Sequence, residues 1–238
     1  MQHIVALSGG KDSTALALRL AEVEPRPYTY VCTPTGDEPE AFFAHMEYLR
    51  SVLGASILPL MHPLGLNGLI AKQQALPNHR QRWCTRILKI EPYRAWLAQQ
   101  APACSYVGLR ADEEGRAGGA YDDLSGITQR FPLREWGWTI DEVWAYLDKK
   151  RIVIPRRLDC QRCFFQTLYE WWTLWRFSPQ VYAEAEAQEA MTGHTFRSAS
   201  RDTWPAGLKE LRTRFAQGHI PTQRTSTLKA LQCRMCTL

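Results

Sequence analysis

The chain has 238 residues, 45% of them hydrophobic, and a formal net charge of +5. That length and apolar content fill the core of one large domain, or of one domain with a modest appendage. No stretch approaches the roughly 18 apolar residues of a membrane span, and the apolar run at residues 3–7 is broken at once by Ser-Gly-Gly-Lys-Asp; this argues against a targeting segment and makes a cytoplasmic location the expectation.

The first 150 residues alternate strand-like and helix-like signals, the pattern of a parallel sheet with crossover helices. Residues 3–7 read as a buried strand, 12–21 as a helix and 28–33 as a second strand rich in β-branched and aromatic residues. Phe42, Phe43, Met46, Leu49 and Leu53 then recur at helical spacing behind the acidic turn Asp37-Glu38-Pro39-Glu40, which suits the positive end of a helix dipole. Residues 56–61 make a third strand, 85–99 a helix, 105–109 a fourth strand and 127–133 a fifth. Thr139-Ile-Asp-Glu142 is a capping box that opens a helix with Ile140, Val143, Trp144 and Leu147 on one face.

After Pro155 no strand is evident, and helical runs are expected near 166–176, 180–191 and 206–217. Ser178-Pro179 fits an N-cap and first-position proline for the second run, with Gly193 as its stop. The expected fold is therefore α/β: a doubly wound parallel five-stranded sheet over residues 1–155, and a helical, cysteine-containing subdomain over 156–238. Trp171, Trp172 and Trp175, with Tyr169 and Phe177, form an aromatic group whose helical spacing reads as core packing before base stacking.

Between the first strand and the first helix stands Ser8-Gly9-Gly10-Lys11-Asp12-Ser13-Thr14. Glycines there permit positive φ and close backbone approach, so the amides at the helix start can point at an anion. Lys11 would neutralise phosphate, Ser13 and Thr14 would donate hydroxyls, and Asp12 would hold the loop or a Mg²⁺ ion. The spacing is neither Gly-x-x-x-x-Gly-Lys-Ser/Thr nor Gly-x-Gly-x-x-Gly.

This loop resembles the signature of the PP-loop, or adenine-nucleotide α-hydrolase-like, superfamily, and within it the phosphoadenosine phosphosulfate (PAPS) reductase family. Further segments are similar in the expected order: Thr35-Gly36-Asp37-Glu38-Pro39-Glu40, Trp83-Cys84-Thr85-Arg86-x-x-Lys89-x-x-Pro92, Gly108-Leu109-Arg110-Ala111-Asp112-Glu113-x-x-Arg116, and Pro132-Leu-x-x-Trp136 ahead of Asp141-Glu-Val-Trp144. Together they cover roughly the first 165 residues. The resemblance implies a nucleotide cleft at the carboxyl ends of the strands, holding ATP or PAPS/adenylyl sulfate. Ser8, Gly9, Gly10, Lys11, Asp12, Ser13 and Thr14 would bind phosphate or sulfate, Gly108 and Arg110 would line the adenosine side, and Asp37 would sit near the nucleotide or metal, with Lys11, Asp12 and Asp37 as the catalytic set.

Seven cysteines form an odd set, which favours metal or redox chemistry over a disulfide framework. Cys160/Cys163 and Cys233/Cys236 are Cys-x-x-Cys pairs, while Cys32 and Cys104 sit in or at the edge of expected strands and read as small core residues. In the iron-sulfur members of the resembled family, a cysteine before a basic helix joins a later Cys-x-x-Cys in binding a [4Fe-4S] cluster, and Cys84, Cys160 and Cys163 match those positions. The family commonly has two adjacent cysteines at the first site, whereas Trp83 precedes Cys84 here, so Cys233 or Cys236 would supply the fourth ligand. The alternative is a four-thiolate Zn²⁺ site from the two pairs, which leaves Cys84 without a role.

A PAPS reductase uses a tail cysteine in a Glu-Cys-Gly motif, and this chain ends instead in Gln232-Cys233-Arg234-Met235-Cys236-Thr237-Leu238. The preferred reading is therefore an ATP pyrophosphatase-type enzyme that adenylates an acceptor, with sulfur transfer to nucleic acid as the chemistry such cluster-bearing proteins perform. Its partners would be a nucleotide, a nucleic-acid acceptor or a sulfur donor. The alternatives are a reductase of PAPS or adenylyl sulfate served by thioredoxin, and a nucleotide-binding regulatory protein without turnover. The charge of +5 suits an anionic partner without deciding among these.

Overall fold

The computed structural model describes residues 1–116, 121 and 123–223, and Cys233 and Cys236 lie outside them. Five parallel strands, β1 (Gln2–Ala6), β2 (Thr29–Cys32), β3 (Ile57–Pro59), β4 (Ala103–Tyr106) and β5 (Ile127–Arg130), stand in the order β3-β2-β1-β4-β5. The order reverses at β1, so the sheet is doubly wound, as its alternating pattern implied.

Alternation along the strands assigns the two faces. Val5, Leu7, Tyr30, Cys32, Cys104 and Tyr106 face one core with helices α1 (Lys11–Val23), α2 (Glu40–Leu53) and α7 (Ile140–Lys149). Ile4, Ala6, Val31, Ala103 and Val107 face the other, against Tyr93 and Leu97 of α5 (Glu91–Leu97). Ala15 and Ala17 let α1 lie close on the sheet, and Gly54 ends α2 in the left-handed conformation at φ +60°. The capping box at Thr139 and Glu142 is present, with the Thr139 N–H donating to Glu142 at 2.8 Å.

The third and fourth strands stand at Ile57–Pro59 and Ala103–Tyr106, where 56–61 and 105–109 were expected, and three larger expectations change. Helix α3 (Gly65–Gln73) was not evident in the sequence, whose start there carries no side-chain cap. The fifth strand stops at Arg130, because Pro132 fixes the backbone for the short helix α6 (Pro132–Glu135), so Leu133 is helical. The stretch read as one helix over 85–99 is composite: α4 (Trp83–Thr85) passes through a π-helical turn at Arg86–Ile90 into α5 and a 3-10 turn at Ala98–Gln100.

The C-terminal helices are α8 (Leu168–Phe177), α9 (Pro179–Thr192) and α10 (Leu208–Ala216). Thr167 and Glu170 form a second capping box, whereas Ser178 makes no side-chain cap bond at the start of α9. Gly193 ends that helix at φ +69°, as expected. A third core joins these helices to α3, to Trp83, Cys84 and Leu88, and to Cys160, Cys163 and Phe164. Packing thus groups residues 65–88 with the C-terminal helices, although the chain delivers them inside the sheet domain. No helix among the described residues is long and apolar enough to cross a membrane.

Glu189 holds this helical unit together. Its buried carboxylate accepts the Phe196 N–H at 2.9 Å and the Leu208 N–H at 2.6 Å, tying α9 to the segment that opens α10. Burial, opposed by those two bonds, pushes the carboxyl from 4.5 up to about 7. A carboxyl raised on folding contributes stability that is complete below its unfolded value and is lost as pH rises through the folded one, an effect on the order of 3 kcal/mol here. The melting temperature should therefore fall between pH 5 and 8, and the Glu189→Gln variant, melted in parallel, should show a flatter profile. Equal slopes for the two proteins would contradict the assignment.

Candidate functional site

Between β1 and α1 the chain turns through residues 7–10, with Gly9 at φ +78°, where an added Cβ would lie 3.0 Å from Met46 Sδ. His45 Nε2 sits 2.9 Å from the Gly9 carbonyl oxygen; burial holds His45 below its ordinary pKa, so the neutral ring donates. The Ser8 and Ser13 hydroxyls are 2.9 Å apart, and the Gly10 N–H donates to Ser8 Oγ at 3.3 Å. The Thr14 N–H is the first to bond back along α1, to Gly10 O at 3.0 Å. The amides of Lys11, Asp12 and Ser13 consequently have no acceptor within the helix and stand at its positive end.

These residues form one wall of a cleft at the carboxyl ends of β1, β2 and β4. Ser8, Gly10, Asp12, Ser13 and Gly108 line it, with Glu38, Phe42 and Lys89, and with Leu158 and Asp159 from the segment after the sheet. Gly108 is there for space: a Cβ would meet the Asp12 carbonyl carbon and the Ser13 nitrogen at 3.1 Å. Gly108→Ala should push the loop out of position and weaken nucleotide binding by about tenfold or more. Titration calorimetry with ATP checks this, and unchanged affinity would show that the loop has room to give.

Several residues expected to touch the nucleotide instead brace the loop. Lys11 is buried with its ammonium 3.0 Å from Asp12 Oδ2, and Arg110 donates to the same oxygen at 3.0 Å and to Asp112 Oδ1 at 2.8 Å. Neither lines the cleft, and Thr14 lies behind it. Asp12 Oδ1 faces no hydrogen-bond partner although buried, leaving one acceptor for a ligand or cation. Asp37 is also away from the cleft. Arg162 donates to it from its backbone N–H at 2.8 Å, from Nε at 2.8 Å and from a terminal guanidinium nitrogen. Burial pushes the Asp37 carboxyl above its ordinary value and the Arg162 donors oppose it. The neighbour Glu38 takes the cleft position, its carboxylate accepting from Thr35 N–H and Oγ1 at 2.7 Å each and from Gly36 N–H at 2.9 Å.

Behind Lys89 lie three buried thiols, Cys84, Cys160 and Cys163, in the third core. Cys160 Sγ lies 3.3 Å from Thr35 Oγ1, whose own proton goes to Glu38. Burial pushes Cys163 up to about 12 and raises Cys84 and Cys160 as well, with Lys89 acting against it for those two. Burial alone would lower Lys89, but its acidic neighbours Cys160, Glu38, Asp159 and Cys84 outweigh it and hold its pKa up. Among the described residues no group of three His, Cys, Asp or Glu side chains is set to hold a single metal ion. An all-thiol donor set beside an ammonium fits an anionic iron-sulfur cluster, whose fourth ligand would come from outside the described residues. Cys32 and Cys104 are buried in the sheet's core, as their strand positions implied. His45, Leu158 and Asp159 were not singled out from the sequence; no local pattern marks them, and only the folded chain brings them to the loop and cleft.

Residues 2–156 match the model of the phosphoadenosine phosphosulfate reductase domain. The chain is 24% identical to the uncharacterized protein MJ0066 of Methanocaldococcus jannaschii in an alignment of 162 residues that covers 62% of this chain and 32% of that one, so it spans about a third of that relative's length. Among solved structures it is similar to the phosphate complex of PAPS reductase from Candida auris, at 14% identity and a TM-score of 0.50, covering 65% of this chain and 75% of that one. It is also similar to the U34-tRNA thiolase NcsA from Methanococcus maripaludis with its [4Fe-4S] cluster, at 16% identity and a TM-score of 0.48, covering 99% of this chain and 76% of that one. At 14% identity the likeness to the reductase is one of fold. Since the family model takes in the sheet, the Ser8–Ser13 loop and the Gly108 approach, the chain belongs to the phosphoadenosine phosphosulfate reductase domain family.

Proposed function

We propose that this protein binds ATP in the cleft and cleaves its α–β phosphate bond to adenylate an acceptor, with Cys84, Cys160, Cys163 and one of Cys233 or Cys236 holding a [4Fe-4S] cluster. The observation that carries this reading is the position of Lys89, which lines the nucleotide cleft and faces the thiols behind it. Phosphate chemistry and metal chemistry then share one site. The first-turn amides with Ser8 and Ser13 would grip the phosphates, and Asp12 Oδ1 suits a Mg²⁺ ion that takes its other ligands from phosphate and water. The acceptor's nucleophilic atom attacks the α-phosphorus, the bond to the bridging oxygen breaks, and pyrophosphate leaves with the electron pair. The chain's part is positioning and charge neutralisation. A bound cluster would supply iron able to carry sulfur or electrons.

Anaerobically purified protein should contain iron and should release pyrophosphate from ATP at a rate that rises when a pool of tRNA or DNA is added. No release with any pool would sink the adenylation reading, and a colourless, zinc-loaded protein the cluster. Family membership favours a second reading, reduction of PAPS or adenylyl sulfate. It requires sulfite from PAPS with thioredoxin, abolished by Cys233→Ser or Cys236→Ser. Tight nucleotide binding with no turnover in either assay would instead identify a regulatory protein.

A further inference from the structure

The segment that closes the cleft has a second side. Leu158 and Asp159 line the cleft, while Arg156, Arg157 and Gln161 line a separate groove with Tyr169 and Phe177 of α8. Glu38 and Pro39 divide in the same way, Glu38 to the cleft and Pro39 to the groove. The Gln161 N–H donates to the Asp37 carbonyl at 2.7 Å, which binds the two loops together along this divide. Groove and cleft are thus adjacent faces of one partition.

The groove's chemistry is basic and aromatic. Arg156 and Arg157 line the groove and are in no ion pair among the described residues, while the Glu170 carboxylate, which also lines it, is held by the Thr167 N–H and hydroxyl at 2.6 and 2.9 Å. Arg157 spends one donor on the Cys160 carbonyl at 2.8 Å, and Arg176 lies over the Phe177 ring at 5.7 Å. Phe177 is 69% exposed. It caps a run of rings: Phe177 meets Trp172 edge-on with centroids 6.3 Å apart, and Trp172 lies against Tyr169 at 5.3 Å. Trp171, on the inner face of the same helix, is fully buried. Helix α8 therefore divides its aromatic residues, Trp171 to the core and Tyr169 with Phe177 to the groove.

We propose that this groove docks a single-stranded polynucleotide, the acceptor for the chemistry in the adjoining cleft. Guanidinium groups whose charge is balanced by no carboxylate, Arg156 against the Gln223 amide and Arg157 against the Cys160 carbonyl, match a phosphate backbone, and exposed rings match bases that are not stacked in a duplex. The proposal rests on the adenylation reading only in calling the strand an acceptor; the docking itself does not require ATP.

The test is fluorescence anisotropy of a labelled mixed-sequence 12-nucleotide strand, RNA in one arm and DNA in the other, titrated with the full chain at several salt concentrations. At least one strand should bind, and its affinity should fall with salt at a slope of about −1.4, as two phosphate contacts imply. Phe177→Ala should weaken binding about tenfold without changing the slope, and Arg156→Gln should make the slope shallower by about 0.7. ATP affinity should stay unchanged in Phe177→Ala, which shows that the variant is folded. Absence of binding in both arms, a duplex that binds as well as the strands, or variants that match the wild type would overturn the proposal. If a strand binds as described without raising pyrophosphate release, the groove stands and the adenylation reading falls. Strand-independent pyrophosphate release with no binding leaves the reverse.

Discussion

Lys89→Met is expected to slow pyrophosphate release from ATP by about a hundredfold or more, while the protein melts as the wild type does. Removing one preorganised donor aimed at developing phosphate charge costs on the order of 10²–10³ in turnover. Two lysines are candidates for that part, and the structure separates them. Lys11, the residue within the loop motif, has its ammonium committed to Asp12 at 3.0 Å and shares that carboxylate with Arg110. Lys89 lines the cleft and makes no ion pair within 4 Å among the described residues, so its charge is available to a ligand. Lys89→Arg, which keeps the charge, should recover part of the rate. A Lys89→Met enzyme within threefold of the wild type would show that the phosphates are neutralised elsewhere.

The second large effect concerns stability. Arg162→Leu should destabilise the protein by about 3–5 kcal/mol, because it leaves the Asp37 carboxylate buried without its cation. Asp37 has a side-chain exposure of 1% and Arg162 of 4%, so water cannot replace the lost donors. The double variant Asp37→Asn/Arg162→Leu should recover much of that loss, since no charge remains to be desolvated. Urea unfolding of wild type, both single variants and the double variant closes the cycle. A double variant no more stable than Arg162→Leu would mean that packing, and not charge, holds this joint. The pair spans 125 positions and fixes the segment carrying Cys160 and Cys163 against the loop after β2.

Local signals were readable wherever a residue's neighbours in the chain decide its conformation. Glycines at positive φ, the Thr139 capping box, the Gly193 stop and the alternation of apolar residues along the strands each act within a few positions. They delivered the five-stranded sheet, the loop and the helical C-terminal part. Helix α3 escaped because it has no side-chain cap and because its apolar face, Leu66, Leu69 and Ile70, is defined only by the distant residues it packs against. The fifth strand was read too long because Pro132 acts on the backbone where the apolar pattern continues.

The sequence by itself determined the fold class, the loop between the first strand and the first helix, and the pairing of the cysteines into short spacings. Only the tertiary structure decided which charged groups remain available. Asp12 with Arg110, Asp37 with Arg162 and Cys160 with Thr35 are separated by 98, 125 and 125 positions, and each pairing exists because the sheet order brings those loops to one end of the molecule. A charge that finds a buried partner there becomes a brace, and one that finds none stays free to meet a ligand. Burial makes an unpaired charge costly, and Lys11, Arg110 and Asp37 each meet a charged partner, whereas Lys89 and Asp12 line the cleft.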